Sequence, residues 1–457
     1  MGLTYERSVQ IRKLSGHRLG AVMVRVMMRR FAGDRKGNVA IIFALSLIPA
    51  VFLTGMALDF TSATQKRVLL NAAADAAALA AVTPINMGQS TTAATTAATN
   101  VFNAMAANVA GVTSATPTVS ITTSNGGLTR TVSVTYTANS TNFFPGVLGK
   151  ANWPISGAST STSTVSPNIN FYLLLDNSPS MNIAATTNGI NTMVSNTSAQ
   201  GGCAFACHES NPSADNLGNP HGEDNYTLAQ NLGVTTRIEN MASATQALMT
   251  TATTTEAANN AQYQMAIYTF NYSGTTTVQT LTSNLTTAAT AASTIDVLEV
   301  YDNNCLTSSN CNNDTDTNFD SAMNQINGIM PNPGTGTSGT SPQEVLFIVS
   351  DGVEDDNTGV CSEPLDGTRC QAPFDTSVCT TVKNRGIRIA VLYTEYLPLP
   401  TNSWYNTWIA PWQSQIATNM QTCASTGLYF AITTDGDIST AMQALFEQAV
   451  ATARLTH

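Results

Sequence analysis

One stretch of sequence limits what this chain can fold into more than any other: residues 39–58 are 20 consecutive positions without a charge. As a helix that rises about 1.5 Å per residue, this stretch would cross roughly the 30 Å hydrocarbon layer of a bilayer. Nine Lys and Arg side chains precede it, against Glu6 and Asp34. Because basic residues stay on the cytoplasmic side, we expect a single pass with the amino terminus inside and the chain from Asp59 onward outside.

A cleaved signal peptide is the alternative interpretation of this segment, because a small-residue triplet, Ala78-Leu79-Ala80, follows it. The triplet lies about twenty residues beyond the apolar run, and the run is longer than the core of a signal peptide, so a retained anchor is favoured. Residues 11–32 fit either an amphipathic helix on the inner leaflet or a charged tail that only sets the topology.

The charge is distributed unevenly along the chain. The net charge is −10, and residues 1–60 carry nine basic against three acidic side chains, which leaves −16 for the remainder. An acidic body argues against nucleic-acid binding, since phosphates select basic surfaces. Only 11% of the residues are charged, which is typical of an envelope protein rather than a cytosolic enzyme.

All eight cysteines follow the apolar segment. An even number on the oxidising side of a membrane predicts up to four disulfides, whose connectivity stays open. Neighbouring cysteines are local candidates, namely Cys305 with Cys311 and Cys361 with Cys370.

The segment Cys203-Ala-Phe-Ala-Cys207-His208 has a different spacing. Three residues between the cysteines are one too many for c-type haem attachment, and zinc would need a further ligand, for which His221 is the candidate. A structural disulfide between Cys203 and Cys207 is therefore favoured.

The region after the apolar run predicts a helical stalk and then a small sheet. Strong helix formers continue to Val82. The apolar face of this helix is mostly alanine, which favours close approach of another helix, including a second copy of the chain; a solvent-exposed Ala-rich helix is the alternative. Alternating β-branched residues around Asn125-Gly126-Gly127 predict a hairpin, and a third strand is expected near residues 153–163.

From residue 168 the pattern predicts an α/β domain. Short apolar runs at 171–175, 263–270, 345–350, 387–393 and 428–432 are separated by helical segments at 237–252, 319–329 and 438–451. Runs of this kind are typical of a parallel sheet covered by helices on both faces, a doubly wound fold. The predicted organisation begins with a cytoplasmic tail (1–36), a transmembrane helix (37–58) and a helical stalk (59–112). A small β-sheet (113–167) and an α/β domain (168–453) follow, and the α/β domain contains an insert (182–234).

Oxygen-bearing side chains follow two of the predicted strands and open one helix. Asp176, Ser178 and Ser180 come after the first strand, Asp351 follows the 345–350 strand, and Thr317 precedes the 319–329 helix. Because ligands of open α/β sheets sit at the carboxyl ends of the strands, these groups are expected to converge. Hydroxyls with few carboxylates suit a hard divalent cation, with Mg²⁺ first and Ca²⁺ or Mn²⁺ as alternatives. Taken singly, these motifs are often helix caps or turns.

The spacing Asp-x-Ser-x-Ser at a strand end resembles the metal-ion-dependent adhesion site of von Willebrand factor A domains. The resemblance implies that Ser178, Ser180 and Thr317 coordinate the ion, that Asp176 and Asp351 hold its waters, and that one coordination position stays open for an acidic group of a ligand. The insert at 182–234 departs from the family, and it could cover the site, alter its ligand or form a separate lobe.

Residues 37–45 with Leu58-Asp59-Phe60 and Asp75-Ala-Ala-Ala-Leu-Ala80 resemble the amino-terminal Tad segment of TadE- and TadG-type proteins, here residues 37–83. Together with the α/β domain the resemblance is to the TadG-like branch. It implies a non-catalytic envelope component of Flp pilus assembly, adherence or secretion, anchored in the bacterial inner membrane with its body in the periplasm. Ile42 stands where pseudopilins of this system carry glutamate, so a permanent anchor is expected.

Two other functions remain open. A surface-exposed adhesin would use the same cation to bind an external ligand. An enzyme is less well supported, because the chain has four histidines and contains no His-Glu-x-x-His motif or nucleophile elbow.

Overall fold

A computed structural model describes residues 37–453 except 211, 213–218, 220–221, 301–315, 357–364, 367–368 and 400–402. Several predictions fall outside these residues and stay predictions: the basic tail, the Cys305/Cys311 pair, the Cys361/Cys370 pair and the role of His221. The chain forms two compact units, which are described in turn. The first comprises the chain up to Ala80 with Thr96–Ser120 and Ser133–Thr160; the second comprises Ala81–Thr95, Ile121–Val132 and the chain from Ser161 onward.

Helix α1, Gly37–Ala80, is a single helix of 44 residues. Its first part exposes every side chain from Val39 to Thr54, and from Gly55 onward every third or fourth residue is buried. Among the described residues, one helix is long and apolar enough to cross a membrane by length and composition, with a mean hydropathy of 2.4. The predicted apolar helix and its continuation as a stalk are therefore present.

A three-stranded sheet and short helices follow α1. The strands are ordered β1-β2-β3, as the predicted hairpin and third strand require. Asn125, Gly126 and Gly127 form the turn with φ of 51°, 63° and 97°, backbone conformations that favour Asn and Gly. The bounds are α2 Pro84–Met87, α3 Thr91–Ala106, β1 Val112–Ser124, β2 Thr129–Thr141, α4 Pro145–Leu148 and β3 Asn152–Thr164.

Buried polar groups of the first unit are matched to partners. Asp59 accepts hydrogen bonds from the backbone N–H of Phe143 and Phe144, at 2.7 and 3.3 Å. Lys66 Nζ donates to Ser140 Oγ at 3.0 Å and to the Thr141 carbonyl at 3.1 Å. The side of α1 that faces the sheet is therefore fixed by specific hydrogen bonds as well as by alanine packing.

The second unit contains a six-stranded sheet of order β12-β11-β7-β4-β5-β6. Neighbouring strands are parallel except β5 and β6, which are antiparallel. The strands are β4 Ile169–Asp176, β5 Tyr263–Asn271, β6 Gly274–Thr282, β7 Gln343–Ser350, β11 Arg388–Thr394 and β12 Tyr429–Ile432.

Helices cover both faces of this sheet, and each face carries its own apolar core. One core contains Phe171, Phe347 and Phe446; the other contains Phe270, Phe319 and Trp412. The helices are α5 Thr187–Asn196, α6 Asn225–Asn231, α7 Arg237–Asn259, α8 Leu285–Ala292, α9 Phe319–Ile329, α10 Thr376–Asn384, α11 Ser403–Trp408, α12 Gln413–Cys423 and α13 Ile438–Thr452. The doubly wound α/β fold is thus confirmed.

Two features of the domain were not predicted. Strand β6 makes the sheet mixed rather than parallel, and its Thr-rich, partly exposed sequence gives no continuous apolar run. A second small sheet of order β8-β10-β9 follows β7, with bounds β8 Val353–Asp356, β9 Leu365–Asp366 and β10 Arg369–Pro373.

The cysteines correct one prediction. Cys379 and Cys423 are joined across a separation of 44 residues, and Cys370 is also in a disulfide. Cys203 and Cys207 are free thiols, so the favoured disulfide between them is wrong. Phe205, midway between them, pairs with Ile183 in an antiparallel bridge.

Candidate metal site

Asp176 ends strand β4 and is fully buried at the carboxyl edge of the sheet. Its Oδ1 accepts hydrogen bonds from the backbone N–H and the hydroxyl of Ser178, at 3.0 and 2.6 Å. Its Oδ2 accepts a hydrogen bond from Ser350 Oγ at 2.5 Å. The carboxylate is therefore held in one orientation by the two loops that leave β4 and β7.

The turn after β4 brings the two serines together. Pro179 begins a 3-10 turn that ends at Asn182, and its fixed φ suits this first position. The hydroxyl oxygens of Ser178 and Ser180 are 3.2 Å apart. Ser180 also hydrogen-bonds to Asp351, which joins the first loop to the loop after β7.

Asp351 begins that second loop and is 1% exposed. Gly352 follows with φ of 78°, and a Cβ there would overlap the side chain of Ile416. The Gly352 N–H donates to Ser350 Oγ at 3.0 Å, and the Val353 N–H donates to Asp351 Oδ1 at 3.3 Å. The Asp-Gly pair is thus a turn that also fixes a carboxylate.

Thr317 reaches the same edge through backbone pairing. Its N–H donates to the Asp355 carbonyl at 3.0 Å and its carbonyl accepts from the Asp355 N–H at 2.8 Å. Asp355 lies in β8, which begins two residues after Asp351. The next residue, Asn318, donates its N–H to the carbonyl of Asn271 at the end of β5. Three loops separated by up to 175 positions in the chain therefore meet at one edge.

The electrostatics of this edge are unbalanced. Burial raises the pKa of Asp176 and of Asp351, and the charge of Asp351 raises the pKa of Asp176 further. Arg237, the first residue of α7 and only 4% exposed, lowers the pKa of Asp351. Two buried carboxyl groups bonded mainly to hydroxyls favour either proton uptake or a bound cation.

Arg369 compensates a different carboxylate. Its Nε and Nη2 donate to the two oxygens of Asp355 at 2.7 and 2.5 Å, and Nη2 lies 3.3 Å from Asp316 Oδ2. This ion pair fixes β8 and the start of the Thr317 loop. The charges of Asp176 and Asp351 must therefore be neutralised by groups other than Arg369.

The insert forms a small lobe with its own apolar cluster of Ala184, Met193, Ala206, Ala229 and Val234. Within it, His208 Nδ1 lies 2.9 Å from Asp224 Oδ2. No three or more His, Cys, Asp or Glu side chains among the described residues are arranged to hold a metal ion. The zinc alternative for Cys203 and Cys207 also involves His221, which lies outside the described residues, and it is not tested by this result.

Two residues at the candidate site were missed by sequence reasoning. Ser350 is the last residue of β7, and its position one residue before Asp351 could have identified it as part of the candidate site. Arg237 lies 61 positions beyond Asp176 in sequence, and only the fold places its charge near Asp351.

The amino-terminal region matches a known family. The Tad model, described as Flp pilus-assembly TadE/G-like, matches residues 37–99, which extends beyond the predicted 37–83. No curated protein matches the chain.

Comparison with solved structures gives matches of low identity and low TM-score. The von Willebrand factor domain of the type V pili tip protein Mfa5 from Porphyromonas gingivalis is 9% identical, covers 63% of this chain and 96% of that chain, and has a TM-score of 0.34. The PilB minor pilin of Streptococcus sanguinis is 10% identical, with 74% and 78% coverage and a TM-score of 0.33. The proximal thread matrix protein 1 of the mussel byssus, with a zinc-occupied MIDAS motif, is 10% identical, with 63% and 49% coverage and a TM-score of 0.30.

In the second unit the Asp-x-Ser-x-Ser turn directly follows β4 of the doubly wound sheet. The chain therefore carries an amino-terminal segment that matches the TadE/G-like Flp pilus-assembly model, on a long apolar helix, followed by a doubly wound α/β domain.

Proposed function

We propose that the α/β domain binds one divalent cation at the carboxyl edge of its sheet and, through that cation, a partner protein of Flp pilus assembly, adherence or secretion. Ser178, Ser180 and Thr317 would be the direct ligands. Asp176 and Asp351 would hold coordinated waters and balance the charge. Mg²⁺ is the first expectation, with Ca²⁺ and Mn²⁺ as alternatives.

The observation that carries this proposal is the pairing of two buried carboxyl groups with hydroxyls from adjacent loops. Burying like charges together is costly unless a cation or a proton compensates them. The hydroxyls of Ser178 and Ser180 lie 3.2 Å apart, and they bond to Asp176 and to Asp351 respectively. Hydroxyl and carboxylate oxygens are the ligands that hard divalent cations prefer.

The anchor supports a role at the membrane. In the proposed arrangement α1 crosses the inner membrane once with its amino terminus inside, and the domain lies in the periplasm. A carboxylate of the partner would complete the coordination of the cation, so the protein binds rather than catalyses. A homo-oligomer through the Ala-rich face of α1 is not part of this proposal, because Ala73, Ala74, Ala77 and Ala78 on that face are buried within the chain.

Thermal unfolding of the full chain in detergent micelles tests the cation site. We expect Mg²⁺ to raise the melting temperature of the wild type and not that of the Asp176→Ala, Ser178→Ala double variant. The matched control is Asp375→Ala with Ser377→Ala, which removes the same Asp-x-Ser hydrogen bonds at 2.8 and 2.5 Å from an exposed helix cap. An equal Mg²⁺ response in the site variant and the wild type would disprove the site.

The cellular location of the domain distinguishes the two proposed roles, a periplasmic assembly component and a surface adhesin. Protection of the domain from protease in intact cells, and its digestion after the outer membrane is permeabilised, is the result expected for a periplasmic assembly component. Labelling of the domain by an impermeant reagent in intact cells would instead identify a surface adhesin.

A further inference from the structure

The connection between β2 and β3 of the first unit carries an exposed apolar segment. Residues 143–148 read Phe-Phe-Pro-Gly-Val-Leu and contain no charged or polar side chain. Phe143 is 70% exposed and Phe144 is 40% exposed, and Pro145 and Gly146 are exposed as well. Contiguous apolar surface of this kind is typical of a contact with a membrane or with another protein. The segment is called the 143–148 loop below.

The loop is attached to α1 at the point where the apolar run of residues 39–58 ends. Asp59, the first residue after the run, accepts hydrogen bonds from the backbone N–H of Phe143 and of Phe144, at 2.7 and 3.3 Å. A Cβ added at Gly55 would lie 3.5 Å from Phe144 Cγ, so this ring contacts α1 inside the run. Since a helix rises about 1.5 Å per residue, Gly55 lies about 4.5 Å before the end of the run.

The hydrogen bonds of the loop suit an environment without water. In lipid a backbone N–H without a partner is strongly unfavourable. Asp59 supplies a partner to two such groups, and it is itself only 1% exposed. At the base of the loop Asn142 donates its backbone N–H to the Ala151 carbonyl and its Nδ2 to the Lys150 carbonyl, both at 3.0 Å. The loop therefore combines a hydrogen-bonded base with exposed apolar side chains.

Aromatic and basic side chains lie beside the loop. The rings of Phe60 and Trp153 meet edge to face with their centroids 6.3 Å apart. Lys66 Nζ lies 5.7 Å from the centroid of the Phe143 ring. Aromatic rings and lysines collect where hydrocarbon meets the headgroups of a bilayer. Along α1 the contact at Gly55 comes first, the aromatic pair at Phe60 second and Lys66 third, in the order that a membrane boundary requires.

We propose that the 143–148 loop inserts into the lipid bilayer beside α1, in the leaflet on the Asp59 side. The proposal rests on α1 spanning the membrane, as in the proposed function, and does not involve the cation. A bilayer that covers residues 39–58 reaches a ring that lies against Gly55, so lipid is the occupant that the geometry favours over a second copy or an assembly partner. A second membrane contact would restrict how the first unit tilts and rotates relative to the bilayer, which a single helix leaves free.

Photolabelling of the wild-type full chain tests the insertion. The protein is reconstituted into vesicles of phosphatidylethanolamine and phosphatidylglycerol that contain a phospholipid with a diazirine on its acyl chain, and it is irradiated and digested with trypsin. Cleavage at Lys and Arg separates the apolar run, the chain that follows it and the loop into peptides 37–66, 68–130 and 131–150. We expect label on 37–66 and 131–150 and none on 68–130.

The labelling pattern separates failure of the loop from failure of the anchor. Label on 37–66 without label on 131–150 would show that α1 spans the bilayer while protein or water covers the loop, and would overturn the proposal. Absence of label from both peptides would remove the anchor and the loop together. The cation site is judged by its own Mg²⁺ response, which neither result affects.

Fluorescence quenching by brominated acyl chains provides a second measurement. Phe144→Trp keeps an aromatic ring next to Gly55. The matched control is Leu69→Trp, which changes another exposed apolar side chain of α1, about 16 Å beyond the end of the run. After subtraction of the wild-type signal, the Trp of Phe144→Trp should lose intensity in brominated vesicles and that of Leu69→Trp should not. An equal response of the two variants would contradict insertion of the loop.

Discussion

The two ends of the six-stranded sheet both bury carboxyl groups, but they surround them differently. At the amino end Glu344 is 2% exposed, and its Oε1 accepts one hydrogen bond from Asn170 at 3.0 Å. At the carboxyl end Asp176 and Asp351 lie together, and serine hydroxyls and backbone N–H groups hold their oxygens.

The difference indicates two ways in which a buried negative charge can be neutralised, by a proton or by a cation. Burial raises the pKa of Glu344 to about 8, so a proton neutralises this single carboxyl group at neutral pH. The pair at the carboxyl end is bordered by further oxygen donors, and these can serve a cation as well as a carboxylate. One end of the sheet should therefore respond to pH and the other to metal ions.

The largest effect is expected from Asp351→Asn. Removing one of two like charges should raise the stability of the metal-free protein by about 2 kcal/mol and abolish its stabilisation by Mg²⁺. Denaturation of the full chain with and without Mg²⁺ measures both changes, and Asp375→Asn at the exposed cap of α10 is the control. A loss of metal-free stability in Asp351→Asn would show that the carboxylate has a structural role instead.

A smaller effect is expected from Glu344→Gln, and it should depend on pH. Because the folded pKa of about 8 lies above the ordinary 4.5, the contribution of Glu344 is fully present below pH 4.5 and is lost as the pH rises through 8. After allowance for screening by solvent and by Arg385, the variant should be about 1 kcal/mol more stable than the wild type at pH 9 and nearly equal to it at pH 5.

Unfolding curves from pH 5 to 9 in EDTA measure this difference. Glu447→Gln, which changes an exposed glutamate of α13, is the matched control and should run parallel to the wild type. A constant offset of Glu344→Gln at every pH would contradict titration of this carboxyl group.

The smallest effect is expected from Ser350→Ala. The variant loses the hydrogen bond to Asp176 Oδ2 and the acceptor of the Gly352 N–H, which should cost about 1 kcal/mol of stability. It should also weaken the Mg²⁺ response without abolishing it, because Ser350 orients Asp176 and is not a proposed ligand. Ser377→Ala is the control, and complete loss of the response would place Ser350 in direct contact with the ion.

The sequence alone determined those features whose cause is local. An uncharged run of 20 residues predicts a membrane-length helix without reference to any partner, and Asn-Gly-Gly predicts a turn because of its backbone preferences. Buried strands such as β4 and β7 were predicted because continuous apolar runs need cover on both faces. The identity of the candidate ligands followed from their positions directly after these strands.

Only the tertiary structure decided which distant groups act on one another. The Cys379–Cys423 bond, the free thiols of the insert, the antiparallel β6 and the effect of Arg237 on Asp351 all depend on contacts between separate segments. Asp176 and Asp351 are 175 positions apart, and their mutual charge effect exists because two parallel strands end side by side. Local sequence sets what each segment can form, whereas distances between segments set hydrogen bonds, disulfides and pKa values.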